Sequence, residues 1–142
     1  MDWNTPKIYR RMMYRVAERL KDRYKAIGYV TGEAVGQVAS QTLENLACTQ
    51  AVSTLPVIRP LIGMDKVDIV NQAKKIGSFS ISIQPFPDCC TVFQPKKPEI
   101  HGKVSDLDTD EKNIDIEGLL TSTIENIETM RFETQVLDQF WE

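Results

Sequence analysis

From Ile8 onward an apolar residue recurs at every fourth position: Ile8, Met12, Val16, Leu20 and Tyr24, with Met13 and Ala17 widening the stripe. Side chains at this spacing share one face of an α-helix and no face of a strand. The spacing predicts an amphipathic helix ending at about Lys25. Thr5 can cap it, and Pro6 suits its first turn, where a missing N–H costs nothing. The other face is basic. Lys7, Arg10, Arg11, Arg15, Arg19, Lys21, Arg23 and Lys25 stand against only Glu18 and Asp22. Such a face is most simply solvated, although a cluster this one-sided can also meet phosphates.

The pattern then changes period repeatedly. Residues 26–31 form a short apolar run closed by Gly32, as expected of a buried strand. Val35, Val38, Ala39, Leu43, Leu46 and Ala47 return to helical spacing and predict a helix from Val35 to about Ala51. Residues 57–62 read as a second strand, weakened by Pro60. Asp65 can cap a third helix, with Val67, Val70, Ala73 and Ile76 inward and Gly77 as its stop. Phe79, Ile81 and Ile83 alternate as in a strand. Residues 85–98 hold Pro85, Pro87, Pro95 and Pro98 and read as a loop. Residues 103–113 are polar and read as a mobile connector. Asp115 opens a last helix, with Ile116, Leu119, Leu120, Ile124, Ile127 and Met130 on one face. Helices alternating with strands define an α/β class with a parallel sheet. Two or three strands fall short of the usual ~5–6. The expected architecture is therefore a partial doubly wound parallel sheet, an incomplete half-domain.

Charge is divided along the 142 residues. Residues 1–103 carry 15 basic and 9 acidic groups, a net of +6, whereas residues 104–142 carry 2 and 11, a net of −9. Separated blocks of charge speak to partners rather than to fold. The basic body is expected to suit phosphates and the acidic tail to serve solubility and packing. No apolar run approaches the roughly 20 residues needed to cross a bilayer, so no membrane is expected. The first residues lack a secretory pattern. Cys48, Cys89 and Cys90 are the three cysteines. An odd, low count with two neighbours predicts free thiols in a reducing, cytoplasmic setting.

Two segments could carry chemistry. The first runs from Thr31 to Thr42 and holds Gly32, Gly36, Gln37, Ser40 and Gln41. It passes from a strand into a helix, where α/β sheets place ligands. Glycines there let the backbone approach a ligand, yet two of them four apart are also compatible with a plain turn. The second runs from Phe86 to Phe93 and holds Cys89 and Cys90. Asp88 would raise a thiol pKa, and Lys96 and Lys97 could offset this. Adjacent cysteines with the sole histidine, His101, and remote Cys48 match no metal spacing. No metal ligand is expected, and His101 reads as a surface residue.

Arg10-Arg11-Met12-Met13, the run from Gly32 to Leu46 (GEAVGQVASQTLENL), the run from Pro56 to Lys66 and Asp88-Cys89-Cys90-Thr91-Val92-Phe93 with Pro95-Lys96-Lys97-Pro98 together resemble one family. It is the tRNA 4-thiouridine synthetase, or ThiI-type tRNA sulfurtransferase, family, also linked to thiamine thiazole synthesis. The resemblance covers roughly residues 7–130. It implies the C-terminal half of a PP-loop ATP-pyrophosphatase domain, of the adenine nucleotide alpha hydrolase-like kind, with residues 103–142 as its acidic connector and terminal helix. It further implies ATP and Mg2+ as cofactors, tRNA as substrate and a cysteine desulfurase as sulfur donor. A tRNA uridine would be adenylated and a cysteine persulfide would deliver sulfur as AMP leaves. By matching position Arg10, Gly32 and Gln41 would touch ATP. Cys90 would be the catalytic cysteine, with Cys89 the alternative.

The Ser-Gly-Gly-x-Asp-Ser phosphate loop of that family does not occur in this sequence. The expectation is a piece of a larger enzyme that alone binds ATP weakly or not at all. Two other readings stand beside it: another PP-loop ATP-pyrophosphatase, or a non-catalytic interaction module. A homodimer is one way to cover the exposed sheet edge such a half-domain would have.

Overall fold

A computed structural model describes residues 4–85 and 100–131. Helix α1 spans Thr5–Tyr24, as the four-residue spacing requires. Asn4 takes the cap position in place of Thr5, and its side chain makes no cap bond; it donates instead to Asp110 Oδ2 at 2.5 Å. Lys25 closes the helix with φ of +50°, and Ala26 N–H reaches back to the Lys21 carbonyl at 2.8 Å.

Strand β1 is Tyr29–Val30 and strand β2 is Val57–Ile58. They pair in parallel, Tyr29 beside Val57 and Val30 beside Ile58. Helix α2, Leu43–Gln50, makes the crossover between them and so completes a β-α-β unit. Thr42 caps α2 by accepting from Asn45 N–H at 3.2 Å. The helix expected from Val35 begins only here. Residues 35–38 are a turn, in which Gly36 has φ of +80°, and Ala39–Gln41 form a single 3-10 turn. A left-handed residue cannot sit inside an α-helix, so Gly36 ends the apparent periodicity.

Helix α3, Lys66–Lys75, follows β2. Asp65 stands at its cap position without a side-chain cap bond, and Gly77 stops it with φ of +75°. None of its residues is buried; Val67 and Ile76 are exposed. The strand expected at Phe79, Ile81 and Ile83 is instead a short helix, α4, Phe79–Ser82. Ser82 Oγ and Ile83 N–H bond back to Ser78 and Phe79 carbonyls, the local pattern of a helix.

The connector expected at 103–113 is also a correction. Helix α5 spans Val104–Asp110, a 3-10 turn follows at Glu111–Asn113, and Leu107 is wholly buried. Helix α6, Ile116–Glu125, starts at Asp115, whose carboxylate accepts from Gly118 N–H at 2.9 Å. Only Leu120 of the expected apolar face is buried. Helix α1 packs against α2 and α6, and α5 packs on α2.

The core holds Tyr14, Ala34, Leu46, Cys48, Leu107 and Leu120. Tyr14 meets Tyr29 edge to face, with ring centroids 6.3 Å apart, which seats α1 on β1. Met13, Val30 and Ile58 remain exposed on the sheet side. Among the described residues no helix is long and apolar enough to cross a membrane. The architecture is α/β with a small parallel sheet and six helices among the described residues.

Candidate functional site

The basic face of α1 is not the solvated stripe its composition suggests. Lys7 and Arg11 are buried. Arg11 Nη2 lies 2.6 Å from Asp108 Oδ1 and its Nε lies 3.2 Å from Glu111 Oε1. Arg15 pairs with Glu111, and Arg19 pairs with Glu117. Part of the acidic stretch after residue 103 is thus folded onto the basic helix, where Asp108, Glu111 and Glu117 neutralise Arg11, Arg15 and Arg19. Arg10, on the same face, meets a different acid.

That partner is Glu33, the residue after Gly32, at the carboxyl end of β1. Its side chain is 2% exposed. Arg10 Nη1 donates to Oε1 at 3.0 Å. Arg59, just beyond β2, donates Nε to Oε2 at 2.8 Å, and Thr31 Oγ1 donates to the same oxygen at 3.0 Å. Tyr14 OH adds a longer bond at 3.4 Å. Burial, and then the Glu33 charge, hold the Tyr14 phenol above its ordinary pKa of 10.0, so it stays a donor. Arg59 also donates Nη1 to Gln50 Oε1 at 2.7 Å, which ties the cluster to the end of α2. Two guanidinium groups against one carboxylate leave a surplus of positive charge at a largely dry point.

Gln41 belongs to the same loop. Its Oε1 accepts from Ala34 N–H at 3.0 Å, and Gly36 N–H reaches the Gln41 carbonyl at 3.3 Å. Val35 N–H bonds the Ile62 carbonyl at 3.0 Å, which fastens the loop to the segment after β2. Among the described residues a Cβ built on Gly32 would meet no heavy atom within 4 Å. Arg10 bonds Glu33 and Gln41 bonds the neighbouring Ala34 N–H, so both side chains are tied to the loop that Gly32 opens. A cleft of about 320 Å³ opens beside it, lined by Arg10, Met13, Tyr14, Tyr29, Val30 and Thr31 among others.

Cys89 and Cys90, and with them Lys96 and Lys97, lie outside the described residues. Cys48 is buried, and burial raises its thiol pKa, with Lys7 and Arg11 opposing. An inert core thiol is the result. His101 is exposed, as expected, and its Nδ1 lies 3.3 Å from Glu44 Oε1. Among the described residues no group of three or more His, Cys, Asp or Glu side chains could hold a metal ion. Glu33 and Arg59 were not singled out by sequence reasoning. The signal available was an acid directly after a strand-ending glycine, within a segment otherwise free of charge.

An arginine held by a buried acid stands at the carboxyl end of a parallel strand of an α/β fold, the end at which such sheets place ligands. The chain belongs to the ThiI family, whose sequence model, described as "Thiamine biosynthesis protein (ThiI)", matches residues 3–116. It is 49% identical over 123 residues to a "Probable tRNA sulfurtransferase" of Acetivibrio thermocellus, covering 87% of this chain and 31% of that protein. It is 44% identical over 133 residues to the protein of that name from Bacillus licheniformis, covering 92% of this chain and 33% of the other. A solved structure, "Crystal structure of a 4-thiouridine synthetase - RNA complex with bound ATP", superposes with a TM-score of 0.81 at 43% identity, covering 89% of this chain and 33% of that one. The chain spans about a third of the length of these relatives.

Proposed function

We propose that the chain is part of an ATP-dependent tRNA sulfurtransferase that converts a tRNA uridine to 4-thiouridine. In this reading it contributes the C-terminal part of a PP-loop ATP-pyrophosphatase domain, and the enzyme also serves thiamine synthesis. The observation that carries it is the tie of Arg10 and Gln41 to the loop that Gly32 opens at the end of β1. Family membership and a 4-thiouridine synthetase neighbour solved with RNA and ATP support the same reading.

The residues present fit a nucleotide. Among the described residues nothing would meet a Cβ on Gly32, and the Arg10 side chain is one-third exposed, with Nη1 committed to Glu33. Arg10 would meet phosphate with its permanent charge and forked donors. The backbone at Gly32 would lie against the nucleotide. Gln41 holds the loop with its oxygen and offers its NH2 to the ligand. ATP, when bound, supplies the adenylate that turns the uridine oxygen into a leaving group. Magnesium would accompany its phosphates.

Cys90, or Cys89 in its place, would carry the sulfur as a persulfide charged by a cysteine desulfurase. The outer persulfide sulfur bonds the uridine carbon as the bond to the adenylated oxygen breaks and AMP leaves. A second thiol then attacks the inner sulfur, which breaks the S–S bond, frees 4-thiouridine and leaves a disulfide for a cellular thiol to reduce. A cytoplasmic setting follows from that partner and substrate. The test is to express the parent gene in cells whose tRNA lacks 4-thiouridine. Its return is expected; its absence, with the protein present and folded, contradicts the reading.

A further inference from the structure

Glu33 is the most heavily engaged side chain of the site, yet a carboxylate beside a phosphate-binding position is an electrostatic cost. It repels the anion that Arg10 would attract. Its retention at 2% exposure therefore calls for a compensating role, and the geometry supplies one. Its two oxygens are divided between elements. Oε1 takes Arg10 from α1, whereas Oε2 takes Arg59 from beyond β2 and Thr31 from the end of β1. A free arginine on a helix surface samples many rotamers, and ordering it on binding costs affinity. An arginine tethered through one Nη keeps its remaining donors pointed in a fixed direction.

We propose that Glu33 is a positioning residue for the nucleotide site. It fixes the Arg10 guanidinium at the carboxyl end of β1, and Arg59 and Thr31 fix Glu33 in turn. The proposal rests on the reading of this site as an ATP site. Glu33 does not touch ATP; it acts through Arg10. Arg59 serves as the second counter-charge that holds the Glu33 carboxylate in place beside Arg10.

The test uses the full-length parent protein, with ATP binding followed by calorimetry, the apparent KM for ATP and for tRNA followed by kinetics, and unfolding followed by thermal scans. Glu33→Asp keeps the charge that Arg59 requires but withdraws the oxygen from Arg10 by one methylene. It should weaken ATP binding roughly tenfold, the scale of a lost charged hydrogen bond, and leave the KM for tRNA unchanged. Added to Arg10→Ala, it should cost ATP affinity nothing further, because both changes remove one interaction. Glu33→Gln should give a smaller loss of ATP affinity with the KM for tRNA again unchanged, because the neutral amide weakens the hold on Arg10 but also removes the repulsion. If Glu33→Gln fails to fold, Glu33→Asp decides alone. A folded Glu33→Asp protein with wild-type ATP affinity, or full additivity with Arg10→Ala, overturns the proposal. A wild-type parent that binds no ATP overturns the functional reading itself, which is a different outcome.

Discussion

Arg15 holds Glu111 with both arms of its guanidinium, Nη1 at 2.7 Å from Oε1 and Nη2 at 2.8 Å from Oε2. Glu111 is 7% exposed and also faces Arg11, itself buried. Fork-to-fork geometry of this kind gives direction as well as charge. Glu111→Gln should therefore destabilise the protein by about 2 kcal/mol, since it removes charged hydrogen bonds from Arg15 and Arg11 while Arg11 keeps Asp108. The Arg19 and Glu117 pair is exposed, and Glu117→Gln should cost less than about 1 kcal/mol. Urea unfolding of the two variants tests the contrast. Equal effects would show that burial does not set the difference.

Glu18 joins three elements. It accepts from Lys21 on its own helix, from Tyr29 OH on β1 at 2.9 Å, and from both the N–H and hydroxyl of Thr54 ahead of β2. Burial disfavours its charge, but these hydrogen bonds prevail and take its pKa from 4.5 down to about 2. The depressed value means that its stabilisation is fully present above pH 4.5 and is lost as pH falls from there toward 2. Glu18→Gln should lower stability at neutral pH and flatten its decline across that window. Stability measured at intervals from pH 7 to pH 2 tests this; an unchanged slope in the variant contradicts it.

Lys25 ends α1 in the left-handed region, with φ of +50°. A side chain with a Cβ is strained there and glycine is not. Lys25→Gly should raise stability by about 0.5–1 kcal/mol, the strain relieved being partly offset by the greater freedom of glycine in the unfolded chain. A rise in Tm supports this, and a fall contradicts it.

Asn45 is fully buried and bridges two segments: its Oδ1 accepts from Gly102 N–H at 3.0 Å and its Nδ2 donates to the Ala39 carbonyl at 2.8 Å. A Cβ on Gly102 would collide with Asn45 Oδ1. Gly102→Ala should cost about 1–3 kcal/mol by overpacking. Gly63→Ala, where a Cβ meets nothing within 4 Å, is the control and should be near neutral. Thermal unfolding of both separates a local clash from a general loss of glycine.

Much of this architecture was legible in local pattern. The Ile8 to Tyr24 stripe, the stop at Gly77 and the cap at Asp115 depend on neighbours in sequence, and each stands where the pattern put it. The misreadings share a cause in long-range contacts. Residues 103–113 look like a solvated connector because Asp108 and Glu111 are charged, yet their partners, Arg11 and Arg15, lie about a hundred residues earlier. Phe79, Ile81 and Ile83 alternate, but no neighbouring strand among the described residues pairs with them. At the site, Arg10, Gly32 and Gln41 came from family resemblance; the structure ties Arg10 and Gln41 to the loop after Gly32 through Glu33 and Ala34. The acid that holds Arg10, Glu33, shows its role only once Arg59 is folded beside it.

The central claim is that a cysteine of the 89–90 pair carries sulfur to tRNA, with Cys90 the carrier. The most direct measurement is the 4-thiouridine content of tRNA from cells lacking it that express the parent protein as wild type, Cys90→Ser or Cys89→Ser. The account predicts restoration by wild type, none by Cys90→Ser and a milder deficit for Cys89→Ser. Near-normal 4-thiouridine in both variants would contradict it.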